Sequence, residues 1–346
     1  MPRLRGLGRE AFVGWARRNS WWAYILLCAA LMTLFYAIPL ISSWTWDPSD
    51  SQSLIWTVLA VMAVAAMALG IVIQRPPTQT VWILLTIGVA LTGIADTFWE
   101  FPELVGLRPR DIPYPSILDY LYLASYLFLF AGILLLVRRR SPGRDRAALL
   151  DSLIVTTAAA LTSWIFIIEP TMASNDLDLA TSLVTAAYPL MDILLLGAAT
   201  RLLFALDSGR NTSMRIVVVT LIGVLVADTA YAYLTITNDW RDGTGWDLGW
   251  FVFYVGFGAA ALHPSVSAPV VATTPERAIS RWRFVMLLAL MSILPLLLLA
   301  GHMAIGTSTE GLVIIVGALV MFGLVLLRLN DLVLQLRETL RRERVI

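Results

Sequence analysis

Ten apolar runs punctuated by arginine constrain this chain more than any other feature. Each run is close to the ~20 residues that cross a hydrocarbon core as a helix. They fall at roughly 21 to 41, 54 to 74, 80 to 99, 117 to 137, 148 to 168, 183 to 204, 215 to 236, 248 to 263, 283 to 302 and 311 to 328. The runs are too long for strands and lack the alternation of a lipid-facing barrel, so helices that satisfy their own backbone groups are the physical solution. The expected fold is all-α, a polytopic membrane helical bundle of about ten spans. A mean hydropathy of +0.77 agrees with that class.

All 25 basic residues are Arg. When the connecting segments are scored alternately, 22 arginines fall on one side: five within 3 to 18, Arg75, five within 138 to 146, three within 201 to 215, three within 277 to 283 and five within 328 to 344. Only Arg108, Arg110 and Arg241 lie opposite, where Asp47, Glu100, Glu103, Glu169, Asp239 and Asp247 also gather. Basic residues stay on the cytoplasmic side. The expected placement is therefore a bacterial plasma membrane crossed repeatedly, with both termini cytoplasmic. One span more or fewer would invert every later loop and destroy the segregation, which the formal net charge of +1 conceals.

Composition closes several functional classes. Cys28 is the single cysteine and lies in the first run, which excludes an internal disulfide and a cysteine metal cluster. No metal, cofactor or nucleic acid is expected as a partner. Arg17 and Arg18 precede a run that has no small-residue cleavage site after it, so the first span is read as uncleaved. The domain reading is a basic N-terminal tail, 1 to 20, an eight-span sensory bundle, 21 to 263, a linker, 264 to 282, a two-span hairpin, 283 to 328, and a cytoplasmic helix, 329 to 346.

Within the eight spans, Val226-Ala227-Asp228-Thr229-Ala230-Tyr231 echoes Ile94-Ala95-Asp96-Thr97-Phe98-Trp99. In each case the next helix opens on an acidic residue seven positions before a tyrosine, Asp119 with Tyr126 and Asp247 with Tyr254. This order predicts two parallel four-helix repeats, 21 to 137 and 148 to 263, related by an axis along the membrane normal. Gly256 and Ala260 form a small-residue face suited to close helix contact.

Asp192 and Asp228 stand at hydrocarbon depth, where a carboxylate costs at least ~2.5 kcal/mol and requires a partner or a proton. No Arg or His lies at matching depth in the sequence, which leaves hydroxyl hydrogen bonds, protonation or a bound cation. Hydroxyls stand close by along the same helices: Tyr188 one turn before Asp192, Tyr231 three residues after Asp228, and Tyr122 and Tyr126 beyond Asp119. The residues predict a polar, aromatic cavity opening outward among spans three, four, six, seven and eight. Its candidates are Asp96, Trp99, Asp119, Tyr122, Tyr126, Tyr188, Asp192, Asp228 and Tyr231, and its ligand is an unknown small molecule or a proton. A second reading fits the same residues: each Asp is bonded to a neighbouring hydroxyl and fixes helix packing.

After the last run, Leu329, Val333, Leu336 and Leu340 recur at steps of four, three and four, the seam of a parallel coiled coil. The expectation is a homodimer through this helix, which continues directly from a membrane span toward a cytoplasmic output domain or partner protein. A helix lying on anionic lipid through its arginines is the rival reading.

Several stretches resemble the multi-span membrane input regions of actinobacterial signalling proteins whose output modules are GGDEF and EAL cyclic-di-GMP enzymes. The resemblance rests on Pro115-Ser116-Ile117-Leu118-Asp119-Tyr120-Leu121-Tyr122, on Arg138-Arg139-Arg140 followed by Leu149-Leu150-Asp151, and on Tyr188-Pro189-Leu190-Met191-Asp192. It continues through the Asp228 segment and Ala260-Ala261-Leu262-His263-Pro264-Ser265. It implies a sensing or transducing role with output coupled through a helix such as 327 to 346. The chain holds no cyclase, phosphodiesterase or histidine kinase signature and no phosphate-binding loop, so it is not expected to be an enzyme. It is read as an input half or as a protein acting through a partner. The alternative reading is a proton-coupled secondary transporter of ten spans.

Overall fold

Apolar runs with no water to satisfy their backbones close their internal hydrogen bonds within a helix, and the described apolar runs are helical. The computed structural model describes residues 2 to 41, 48 to 106, 112 to 140, 146 to 172, 178 to 205, 211 to 241, 244 to 268 and 310 to 343. Its main helices are α1 (Pro2–Ile41), α2 (Pro48–Gln74), α3 (Gln79–Glu100), α4 (Ile117–Arg140), α5 (Arg146–Ser163), α6 (Leu179–Ala205), α7 (Thr212–Ile236), α8 (Leu248–Leu262) and α9 (Glu310–Glu343). A π turn, Trp164–Ile168, and a short helical turn, Glu169–Met172, prolong α5. Among the described residues there is no strand, and nine helices are long and apolar enough to cross a membrane. The chain is a polytopic membrane helical bundle. The expected ninth span, 283 to 302, and most of the expected linker lie outside the described residues.

Six helices form a closed ring: α2 packs on α3, α3 on α4, α4 on α6, α6 on α7, α7 on α8, and α8 returns to α2. Three helices stand outside it. α1 lies over the seam between α2 and α8, α5 lies against α6, and α9 lies against α5.

In lipid the apolar side chains gain nothing by leaving water, so close approach and interhelical hydrogen bonds must hold the ring. Gly256 shows the first device. A Cβ there would lie 1.7 Å from Thr220 Oγ1, so only glycine permits this spacing of α7 and α8. The second device ties the arginine-rich end of the bundle. Gln74 Nε2 donates to Leu262 O and to Arg17 O, both at 2.7 Å, joining α1, α2 and α8. Asn211 caps α7 by accepting from Met214 N at 3.2 Å, and its Nδ2 donates to Ser265 O at 3.0 Å. His263, the C-cap of α8, accepts from Ser265 N at 3.1 Å and meets the Trp21 ring edge-on at 4.6 Å.

α9 runs without interruption through the expected border between span and stalk at 328/329. Its apolar window extends to Leu334, so Leu329 and Val333 lie at the end of the candidate span. Leu329, Val333 and Leu340 are about half exposed in the single chain. Leu336 lies in the same helix.

Candidate functional site

The polar residues that the ring turns inward come from all six of its helices. Asp96, near the end of α3, accepts from Trp56 Nε1 on α2 at 2.9 Å, from Tyr122 Oη on α4 at 2.7 Å and from Tyr254 Oη on α8 at 2.5 Å. Asp228 on α7 accepts from Trp250 Nε1 on α8 at 2.7 Å and lies 2.9 Å from Tyr126 Oη on α4. The same Tyr126 oxygen lies 2.7 Å from Asp192 Oδ1 on α6. Asp192 sits thirteen residues from either end of its helix, which is ~20 Å along the axis and therefore close to mid-membrane. The phenol and indole partners of these carboxyls are all neutral donors.

The donors are exchanged crosswise. Asp96 binds Tyr122 of the helix that follows it and Tyr254 of α8. Asp228 binds Trp250 of the helix that follows it and Tyr126 of α4. Each tryptophan of this set also packs on other rings: Trp56 and Trp250 have ring centroids 6.1 Å apart, and Trp250 meets Tyr231 edge-on at 5.8 Å and Trp240 at 5.5 Å.

Of the nine candidates, the structure therefore brings Asp96 and Tyr122 into one hydrogen-bonded set and Tyr126, Asp192 and Asp228 into another. The contact of Trp56 with Trp250 joins the two sets. Tyr231 belongs to an aromatic layer beside them through Trp250 and Trp240, and it is 41% exposed. Trp99 is not part of the site, since it is 54% exposed. It follows Asp96 by three residues, a step that rotates a side chain about 60° off the starting face of a helix. Here that rotation carries the indole out of the ring.

Asp119 and Tyr188 form a separate tie. Ser116 N and Ser116 Oγ donate to Asp119 Oδ2 at 2.7 and 3.0 Å, and Leu118 N donates to Ser116 Oγ at 3.2 Å, a reciprocal cap at the start of α4. Tyr188 Oη then donates to Asp119 Oδ1 at 2.8 Å, joining α6 to that cap. Beside it Tyr114 Oη pairs with Thr185 Oγ1 at 2.8 Å, and burial pushes the Tyr114 phenol up from its ordinary value.

Three expectations are corrected here. Tyr122 and Tyr126, offered to Asp119 by spacing, bond Asp96 and the Asp192 and Asp228 carboxyls instead. Spacing along each helix offers Tyr188 to Asp192 and Tyr231 to Asp228, yet Tyr188 bonds Asp119 and the bridging hydroxyl is Tyr126 from α4. A tyrosine oxygen stands well out from its own helix, and in this ring it reaches the facing one. Sequence reasoning also misses Trp56 and Trp250, whose indole N–H groups bond the two carboxylates. The signal exists, because an amphipathic indole inside a membrane run requires an acceptor.

A second polar contact has no counterpart in the sequence reading. Asp151 on α5 and Arg328 on α9 form a buried bidentate pair, with Nε to Oδ1 at 2.6 Å and Nη2 to Oδ2 at 3.2 Å. Outside it, Arg146 Nε lies 3.3 Å from Asp331 Oδ2. Both pairs clamp α9 to α5 at the arginine-rich end.

A shallow hollow at the opposite end is lined by Leu234, Asp239, Arg241, Thr244, Gly245 and Trp246, none of them a candidate residue. Among the described residues no group of three His, Cys, Asp or Glu side chains is placed to hold a metal ion. Comparison with known proteins finds no match to any family model, curated protein or solved structure.

Proposed function

We propose that the chain is a membrane signal-sensing and transducing module, seated in a bacterial plasma membrane with both termini cytoplasmic. The carrying observation is the position of Tyr126, whose one oxygen reaches carboxyl groups from two other helices, Asp192 and Asp228. A change of charge or occupancy at that point alters what holds α4, α6 and α7 together. From there a contact path leads out of the ring: α6 packs on α5, α5 on α9, and α9 runs on past the membrane window to Glu343. Sensing requires only that the stimulus bind two arrangements of these helices unequally.

The exposed Leu329, Val333 and Leu340 support a partner for α9, and a second copy of the chain is the partner proposed. The output is a cytoplasmic module of the kind the resemblance implies, a cyclic-di-GMP enzyme, and the chain itself is proposed to carry no catalysis. The test is a fusion of α9, in helical register, to a reporter output domain. Output that changes with external conditions and is altered in Asp192→Asn and Asp228→Asn supports the reading. Output indifferent to both would overturn it, and proton flux through proteoliposomes would favour a carrier instead.

A further inference from the structure

Hydrogen counting at Tyr126 leads one step further, at the same site on which the sensing proposal rests. A phenol carries one hydrogen. Its oxygen nevertheless lies at hydrogen-bonding distance from two carboxyl oxygens, Asp192 Oδ1 at 2.7 Å and Asp228 Oδ2 at 2.9 Å. If both acids were ionised, one of these contacts would set oxygen lone pairs against each other, beside two like charges. One additional hydrogen turns both contacts into bonds.

The donors decide where that hydrogen sits. Asp228 already accepts from Trp250 Nε1 at 2.7 Å, so its charge is supported by an indole as well as by the phenol. The Trp250 bond therefore favours the ionised form at Asp228 and leaves the hydrogen to Asp192. Asp192 and Asp228 also stand within hydrogen-bonding reach of each other, so the Asp192 O–H bonds Tyr126 Oη or the Asp228 carboxylate, while Tyr126 O–H and Trp250 N–H donate to Asp228. Asp96, the third carboxyl inside the ring, holds a full set of its own donors from Trp56, Tyr122 and Tyr254.

We infer that Asp192, Tyr126 and Asp228 form an intramembrane proton-binding site that holds one proton, resident on Asp192. The titratable groups facing it are Asp96 on α3, Tyr122 on α4 and Tyr254 on α8, with Tyr188 on α6 committed to Asp119 and Tyr231 on α7 beside Trp250. The site has two hydrogen arrangements. As the Asp192 proton passes to Tyr126, the phenol proton passes to Asp228, so that one proton moves between helices and no atom is left over. Removal of the proton forces Tyr126 to abandon one acid, which separates α6 or α7 from α4.

Infrared spectroscopy of the full chain in lipid nanodiscs at neutral pH reads this directly, because a neutral carboxylic acid has a carbonyl stretch distinct from that of a carboxylate. The expected result is such a band, sensitive to deuteration, present in the parent protein and in Asp96→Asn and absent in Asp192→Asn. Tyr126→Phe, which keeps the ring, is expected to shift the band rather than remove it. Absence of the band in the parent protein, its persistence in Asp192→Asn, or its loss in Asp96→Asn would overturn the assignment. If Asp192→Asn does not fold, the Tyr126→Phe shift decides: an unmoved band places the proton elsewhere. A band without any reporter response sinks sensing and leaves the proton site. A reporter response without a band does the reverse.

Discussion

Separating Asp151 from Arg328 should damage the protein unequally, according to which partner is removed. The Arg328 and Asp151 side chains are 5% and 0% exposed, so neither charge is screened by water when its partner is lost. Removal of one member of a buried pair costs about 3 to 5 kcal/mol, because the other charge loses the partner that offset its burial. In Arg328→Met the Asp151 carboxyl loses its bidentate partner and has an escape: it can take up a proton. From an ordinary carboxyl value that step costs at most about 4 kcal/mol at pH 7, and less as the pH falls. A stranded guanidinium has no such route, since it does not give up its proton in proteins. Asp151→Leu should therefore be the worse variant, with a cost that does not ease in acid. The double variant, Asp151→Leu with Arg328→Met, removes both charges and should lie within about 1 to 2 kcal/mol of the parent or above it. The outer pair is the internal control. Arg146 is 59% exposed, and Arg146→Ala should cost less than about 1 kcal/mol. Reversible unfolding in mixed micelles, followed by tryptophan fluorescence, measures all four. A double variant as damaged as the two single ones combined would refute the reasoning, as would an Asp151→Leu cost below that of Arg146→Ala.

Other outcomes follow from the same contacts. Gly256→Ala must push α7 from α8 at Thr220 and should cost about 1 to 3 kcal/mol in the same unfolding assay; Thr220→Ala should recover part of it. Burial holds the His263 ring below its ordinary value, so the folded protein disfavours the charged form. Its stabilising share should be complete above about pH 6.5, decline as the unfolded chain takes up its proton below that, and level off past the lower folded value. Thermal unfolding across that window should show the loss, and His263→Gln should flatten it. Trp250→Phe removes the donor to Asp228 Oδ1 and should cost about 1 to 3 kcal/mol, Trp56→Phe leaves Asp96 Oδ2 bonded to Tyr254 and should cost about 0.5 to 1.5 kcal/mol, and Trp99→Phe, on an exposed ring, should stay within about 0.5 kcal/mol of the parent.

Within the chain, the membrane class was legible because hydropathy and run length are properties of consecutive residues, and a helix in lipid satisfies its backbone locally. The aspartates at hydrocarbon level were legible for the same reason, since depth along a helix is a count of residues. Their partners were not. A count places Asp228 ~24 Å along α7 from its start, but it does not say which helix faces that side. Local spacing pointed to Tyr231 and Tyr188, while the ring supplied Tyr126 and Trp250.

The amino-acid sequence alone determined that the chain is able to cross a membrane repeatedly as helices and which acids stand at hydrocarbon level, because each follows from one-dimensional hydrophobic length and the cost of charge. Only the tertiary structure decided that α4 stands between α6 and α3, that one phenol meets two carboxyls, and that Arg328 closes on Asp151. Those facts depend on which helix faces which, and in a membrane small residues and side-chain hydrogen bonds spread far apart along the chain make that choice.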